Sequence, residues 1–493
     1  MKRSIPAGLL RSTPLAGSYP TAVALALLAL CPFIVLSTAT LLFQRELMAD
    51  LKTTMFGVQL SGALANAGYA FGAVAAADLI QRKPKWSLYV ACEAGFVVGS
   101  LLCALAPGVV LFTIGRLAQG VATGMLLVAA LPPLITNHGV ERLPLTAAFV
   151  NLGLFGMVTL GPVVGGLTGT FMAWRWLFAG VAVLGLAGMV FGVLGFERTE
   201  ATAPGMGFDW SAIPVAAAGT VLPFIGVSWL SRGSFVSPGF LIPLIAGLAA
   251  LVTLLVRQYR KDRALMPMKL ITHTLPVTGI SAAMVAGAGF TTLIELAVVY
   301  LLEVGHQSPA TVGGLLATQL AGIAVAAWLF KKALTTRWLP VLAFAGLGLV
   351  AAGGALLLAL GSGYDAAVVA VAGLLLGFGA GAGVAPGLFM GGLSAPSNRL
   401  GPTFALVELL RSEAAFLVGP VLLHIAMVTG SLSHGVRLAA LVMVVLAVVS
   451  WLVLLGILLL GGARPHAPDL ATWLEGETPA YHSPRLGAAV RER

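Results

Sequence analysis

From Thr21 to Leu460 the chain is a succession of long apolar runs separated by short polar turns. That pattern constrains the fold more than any other feature. Hydrocarbon offers no water to backbone N–H and C=O groups, so a spanning segment must satisfy them internally, as a helix does. A helix needs about 20 consecutive apolar residues to cross the bilayer core. Runs of that length lie near 21–43, 53–77, 86–106, 109–135, 144–169, 174–196, 210–230, 237–257, 275–302, 309–330, 338–360, 364–394, 401–429 and 436–461. The expectation is an all-α integral membrane protein with about fourteen transmembrane helices. Composition agrees: 59% of residues are hydrophobic and 9% charged, against about 25% charged in soluble domains.

The net charge is +10. In a soluble protein this would suggest a nucleic-acid partner; here the positive-inside rule accounts for it, and no nucleic acid is expected. With the N-terminus in the cytoplasm, 21 of the 28 Lys and Arg fall in cytoplasmic segments. Outer loops hold only Arg45, Lys52, Arg175, Arg232 and Arg437, and Arg116 and Arg411 lie within spans. A one-helix error would scramble this bias. The sequence therefore predicts an even span count, both termini cytoplasmic, and a multi-pass protein of the cell (inner) membrane. The N-terminal M-K-R-S-I-P carries charge but no cleavage site follows a short apolar core, so the first run is expected to remain as a span. The three cysteines, Cys31, Cys92 and Cys103, have neither metal nor disulfide spacing. No metal and no cofactor is expected.

The chain repeats itself weakly. Gly161-Pro162 recurs as Gly419-Pro420, and Gly120, Gly124 and Pro133 recur as Gly373, Gly377 and Pro386. The basic turn Arg82-Lys83-Pro84-Lys85 recurs as Lys331-Lys332. Each feature returns eight spans later, in the same orientation. This predicts a cytoplasmic segment 1–20, a six-helix bundle 21–196, a linker 197–274 with two additional helices, a second six-helix bundle 275–461 and a cytoplasmic tail 462–493. The tail, polar and Pro-containing, reads as disordered. Parallel six-helix halves with a site between them are a transporter architecture.

The charges inside the spans mark candidate chemistry. A charged side chain at bilayer depth costs roughly 2.5–3.5 kcal/mol on insertion scales, so it must face protein or water. At helical spacing Arg116, Gln119, Gly120 and Thr123 share one face of the fourth span, which is expected to turn toward a central cavity. Four carboxylates lie within spans: Glu93, Glu295, Glu408 and Glu413. Glu408 and Arg411, three apart, suit an ion pair. Glu413 lies about 200° around the helix from Arg411 and needs another partner or a proton. Desolvation favours the protonated form of a carboxylate, so such groups can carry protons near neutral pH. Val369 stands at the repeat position of Arg116, so fold symmetry does not demand the charge. Glu93, on a peripheral span, reads as structural. His424 can titrate, and Asn66 and Asn151 either line the cavity or bridge helices.

Several of these words resemble the major facilitator superfamily, and its fourteen-span drug:proton antiporter branch in particular. R-L-A-Q-G-V-A-T-G (116–124) is similar to the fourth-helix motif, whose arginine is implicated in proton coupling. L-G-P-V-V-G-G (160–166) resembles the fifth-helix motif typical of exporters. W-R-W-L-F (174–178), F-D-W (208–210) and M-P-M-K-L (266–270) sit where the branch has similar words. Pro162 removes a backbone donor and bends its helix, while Gly161, Gly165 and Gly166 admit close neighbours. A hinge or gasket role is expected for these four, with ordinary small-residue packing as the alternative; Gly120 and Gly124 on the fourth helix are grouped with them as conformational-motif residues. Asp78, Arg82 and Lys83 fit the charged part of the cytoplasmic loop motif, with Asp78 a candidate latch across a helix interface. Val74 and Gln81 replace its usual glycines. The branch's first-helix acid, in a word like L-D-x-T, is replaced by Ser37 in L-S-T-A-T (36–40).

The resemblance implies a proton-coupled exporter of small amphipathic molecules, driven by the proton gradient. Proton coupling is expected at Arg116, Glu295, Glu408, Arg411 and Glu413, with Arg116 holding a nearby acid in its charged form. Ser37, Asn66, Gln119, Thr123 and Asn151 are expected along the substrate cavity. Expected partners are a small-molecule substrate, protons and membrane lipid, for a monomer that a periplasmic adaptor can join. The rivals are an importer or facilitator of one metabolite on the same fold, a polytopic membrane enzyme, and a non-transporting sensor. An enzyme wants a clustered His/Asp constellation or metal site, whereas the seven histidines are scattered.

Overall fold

The computed structural model describes residues 15–198, 209–261 and 264–486. The N-terminal segment before Leu15, Phe208 of the F-D-W word, Arg263 and residues 487–493 lie outside the described residues. Among the described residues thirteen helices are long and apolar enough to cross a membrane. They include α1 (Tyr19–Ala39), α2 (Met55–Arg82), α3 (Lys85–Ala104), α4 (Val109–Thr136), α5 (Leu143–Thr170) and α6 (Trp174–Gly195). The additional pair is α7 (Ala212–Ser228) and α8 (Pro238–Arg260). The second half holds α9 (Thr274–Val299), α10 (Pro309–Ala333), α11 (Leu339–Leu357) and α12 (Asp365–Leu393). It continues with α13 (Leu400–Val428) and α14 (Leu432–Leu460). Helix α13, 29 residues long, is the fourteenth and is not among those thirteen; its middle carries Glu408, Arg411 and Glu413.

Local sequence sets the ends. Ser18 caps α1 by accepting from the Thr21 amide, with Pro20 in the first turn, where a missing N–H costs nothing. Ser308 caps α10 in the same way, ahead of Pro309. Helix α10 is interrupted at Ala317–Thr318, where Thr318 Oγ1 donates to the Ala370 carbonyl of α12 at 2.8 Å. The turn that continues α9, Tyr300–Val304, widens to i→i+5 bonding.

The internal repeat is a repeat of packing. A Cβ on Gly124 would run into the Tyr69 carbonyl of α2, and one on Gly377 would run into the Gln319 carbonyl of α10. Thus α4 seats on α2 as α12 seats on α10. Without a hydrophobic drive between helices in lipid, such close backbone approach is what holds a bundle together. Arg82, Lys85, Arg142, Arg260, Lys332 and Arg399 lie at the bundle end where α1 begins and α14 ends.

One feature departs from the linear reading and another adds to it. The additional pair packs on both halves. Helix α7 packs on both α2 and α13, and Leu406 and Leu409 share one apolar cluster with Ala212, Ala216, Leu251 and Leu254. The tail is also folded through residue 486, in contrast to the disorder expected of its polar, Pro-containing sequence. Residues Leu470–Leu474 form a helical turn that buries Trp473 completely. Trp473 Nε1 donates to the Ala395 carbonyl at 2.8 Å, and the Ala480 and Tyr481 amides donate to the Leu393 carbonyl. The same turn lies against Val140–Arg142 of the first half. One buried tryptophan with satisfied hydrogen bonds outweighs a composition that signals disorder.

Candidate functional site

Where the halves meet, a cavity of about 170 Å³ opens in the part of the bundle away from the termini. The first half lines it through Ser37, Asn66, Arg116 and Pro162, and the second half through Thr291, Glu295, Gln319 and His424. Helix α7 closes a side with Phe224, Val227 and Ser228. Most of the remaining wall is apolar, including Phe112, Phe290 and Phe416. Few polar groups on an apolar wall suit a small amphipathic ligand.

Arg116 is only 2% exposed and reaches the cavity from α4. Its Nη1 donates to Gln119 Oε1 at 3.0 Å, and Gln119 Nε2 donates to Ser100 Oγ at 2.8 Å. The guanidinium stacks over Phe33 (5.7 Å) and Phe178 (5.8 Å). Among the described residues no carboxylate lies within ion-pair distance of it. The acid that Arg116 was expected to hold charged is therefore not beside it; π faces and a neutral amide cradle the cation instead.

Glu295 reaches the cavity from α9 and rests on Gly419 of α13, where a Cβ would come within 2.8 Å of its Oε2. In the first half the corresponding groove holds Thr38, on which Gly161 of α5 rests. The likeness extends to hydrogen bonds. Thr38 Oγ1 donates to the Val158 carbonyl at 2.8 Å, and Thr291 Oγ1 donates to the Ala415 carbonyl at 3.0 Å. The Gly-Pro pairs of α5 and α13 thus each face a polar step on the first helix of their half. That step is Ser37–Thr38 on one side and carries a carboxylate on the other.

One turn toward the terminal end of α2, below Asn66, lies a charged cluster that spans the halves. Glu408 Oε2 accepts from Arg411 Nη2 (2.6 Å), Arg411 Nε (2.9 Å) and the Tyr69 hydroxyl (3.3 Å). Tyr69 stacks on Phe33 at 5.7 Å. A chain of contacts therefore runs from Arg116 through Phe33 and Tyr69 to Glu408 and Arg411. Glu413 stands apart, 4% exposed, with neither carboxyl oxygen hydrogen-bonded among the described residues. It falls on the α13 stripe of Leu406, Leu409, Leu417 and Val421, which packs on the additional pair.

Other expected cavity residues lie elsewhere. Gln119 and Thr123 are buried against α3 and their own helix, since the face of α4 they share also meets Ser100. Asn151 instead bridges the halves, its Nδ2 donating to the Gly381 carbonyl of α12 at 2.9 Å. Gly120 packs on Ala65 of α2, Gly161 and Gly165 pack on α1, and Gly166 meets Pro309 of α10. In return Gly313 of α10 meets the Pro162 carbonyl, so the Gly-Pro-x-x-Gly-Gly word touches both halves. Among the described residues Asp78 makes its ion pair with Arg82 of its own helix, at 2.6 Å, and none across a helix interface. Glu93 sits over Gly188 of α6, inside the first half. Phe33, Tyr69 and Gln319 escaped the sequence reading because aromatic and amide residues in an apolar helix carry no signal of which face they take. Tyr69 alone had a trace, three residues along the α2 face from the polar Asn66.

Two similar helical bundles around a shared cavity, built from helices long and apolar enough to cross a membrane, define a membrane transporter of the paired-bundle class. The chain belongs to the Major Facilitator Superfamily, whose model matches residues 25–420. It is 30% identical over 269 residues to a multidrug resistance protein B homolog of Mycobacterium tuberculosis, covering 54% of this chain. The match spans about half of that relative's length, 49%. It is 27% identical over 365 residues to the drug efflux pump JefA of the same organism, covering 71% of this chain and 69% of the relative. Among solved structures, the peptide transporter POT in complex with sulfate aligns with TM-score 0.62 at 16% identity, over 89% of this chain and 94% of that one. The human organic anion transporter MFSD10 (TETRAN) aligns with TM-score 0.61 at 13% identity, over 88% and 99%. At these identities the solved structures speak to the fold.

Proposed function

We propose that this protein exports small amphipathic or hydrophobic molecules from the cytoplasm or inner leaflet in exchange for protons, by alternating access. The carrying observation is the cavity between the halves, apolar over most of its wall, with Arg116 and Glu295 entering it from opposite bundles. The names of the relatives, a multidrug resistance protein homolog and a drug efflux pump, favour export of such cargo. Glu295 takes the proton-carrying part that the first-helix acid plays in the branch. It stands in the groove of α9 that matches Ser37–Thr38 of α1, and it opens on the cavity. The Glu408–Arg411–Tyr69 cluster forms the floor. Opening the cavity toward the other end requires Tyr69 and Glu408 to part, and a proton on Glu408 weakens that bond by removing the charge that Arg411 and Tyr69 compete for. The small-residue contacts of α5 with α1 and α10 give the halves a surface on which to rock.

The test is transport by the full chain in liposomes carrying an imposed pH gradient, with a fluorescent lipophilic cation as cargo. Accumulation is expected to collapse with an uncoupler. Glu295→Gln is expected to abolish gradient-driven transport while leaving cargo exchange at equal pH. Uncoupler-insensitive accumulation refutes coupling. Flux that runs with cargo entering the cytoplasm alongside protons makes the protein an importer.

A further inference from the structure

A second cavity, of about 400 Å³, lies at the end of the molecule that carries the termini. Its walls come from four places: the exit of α8, the approach to α9, the α12–α13 turn and the folded tail. The chemistry of the wall is one-sided. Lys261, Lys269, His273, Arg399 and His482 line it, and among the described residues no carboxylate does. The Lys261 ammonium is engaged by Asp209. Lys269 and Arg399 make no ion pair among the described residues. A topological bias alone places lysines and arginines at this end, but it does not account for the remaining polar group. Tyr481 is 3% exposed, lines the same cavity, and its buried hydroxyl has no hydrogen-bond partner among the described residues. Burial also keeps this phenol protonated, and so a donor. A buried donor left unmatched beside cations that have no ion pair among the described residues wants an anion with several oxygens.

The cavity is continuous with a lipid-facing surface. Along α8, Val252, Val256 and Tyr259 are 58%, 43% and 48% exposed and lie at i, i+4 and i+7, one ridge that leads to the cavity mouth. Tyr259 itself lines the cavity, in the place where tyrosines mark the headgroup boundary. A free anion has no use for that ridge, whereas a lipid does.

We propose that this cavity binds the phosphodiester headgroup of an anionic membrane lipid. Lys269 and Arg399 supply charge, Tyr481 donates a hydrogen bond, and an acyl chain lies along Val252 and Val256. Because Tyr481 belongs to the tail and Arg399 to the second bundle, the lipid joins the two.

The test uses the purified full chain in a neutral detergent. Binding of phosphatidylglycerol is titrated by native mass spectrometry and, in parallel, by the shift in melting temperature. Phosphatidylcholine and inorganic phosphate are the comparison probes. Phosphatidylglycerol is expected to bind and stabilise saturably, and phosphatidylcholine is not. Lys269→Gln with Arg399→Gln is expected to weaken phosphatidylglycerol binding by tenfold or more. Tyr481→Phe, which keeps the ring and its packing, is expected to weaken it about tenfold, the worth of one hydrogen bond to a charged group. Equal binding of phosphatidylcholine, or unchanged affinity in Tyr481→Phe together with the double variant, overturns the proposal. Displacement of phosphatidylglycerol by millimolar inorganic phosphate, with equal stabilisation, overturns the lipid as the source and leaves a soluble anion site. If the double variant does not fold, the headgroup comparison on the wild type and the Tyr481→Phe titration decide.

Discussion

Replacing Trp473 by alanine should release the tail from the bundle. The indole is fully buried, its Nε1 donates to the Ala395 carbonyl at 2.8 Å, and the Ser397 hydroxyl donates to the Trp473 carbonyl at 2.7 Å. The last of these bonds survives the substitution, because it uses the backbone. The packing and the indole bond do not. Truncating a buried tryptophan costs about 3–5 kcal/mol. Part of that figure is the Ala395 carbonyl left without its partner. This region lies outside the spans, so the released tail enters water and the soluble-protein scale applies. At about 1.4 kcal/mol per decade, the docking equilibrium should fall by two to three orders of magnitude. The assay is amide hydrogen exchange at Ala480 and Tyr481, whose N–H groups bond to the Leu393 carbonyl. Their protection should drop by 10²–10³, or to the unprotected limit, while the amides of α4 and α12 keep theirs. Trp473→Phe should retain most of it. Full protection in the alanine variant would refute the view that one side chain holds the tail, and would return the segment's order to its backbone bonds alone.

Glu408→Gln should destabilise the protein by about 3–5 kcal/mol, because it leaves Arg411 buried without its counterion; thermal unfolding in detergent reads this. Adding Arg411→Met should recover most of the loss, and no recovery would argue against a pairwise role. Gly166→Val should wedge α5 from α10, since a Cβ there meets the Pro309 backbone carbonyl; overpacking of this kind costs about 1–3 kcal/mol. Transport in liposomes should fall with it, whereas Gly180→Ala, in open space on α6, should be silent in both measurements. Partial burial alone would raise the Asp209 carboxyl, but hydrogen bonds from Lys261 and Ser211 outweigh it and hold it below the ordinary 3.8. The tie between the start of α7 and the end of α8 is therefore at full strength above that value and is lost as pH falls through the lower folded one. Proteolysis of the α6–α7 connection should accelerate over that acid range in the wild type, and show no such step in Asp209→Asn.

Runs long enough to cross a bilayer had only one way to satisfy their backbones, so the helices, their approximate ends and the pairing of two halves were written in the order of residues. The cost of charge in hydrocarbon likewise marked Arg116, Glu295 and Glu408 without any coordinates, and spacing alone suggested the Glu408–Arg411 pair. What one helix cannot state is which neighbour each of its faces meets. Gln119 and Arg116 share a face of α4, yet one turns to Ser100 and the other to the cavity, because α3 and α1 converge there. Asn151 meets a carbonyl of the opposite bundle, and Tyr69 completes a cluster whose other members lie more than 300 residues away in the chain. The insertion of α7 between the halves and the docking of the tail depend on the shape of a surface that exists only after the bundles have packed. Composition marks the tail as polar, and a single tryptophan finds its socket between helices that the local sequence does not name.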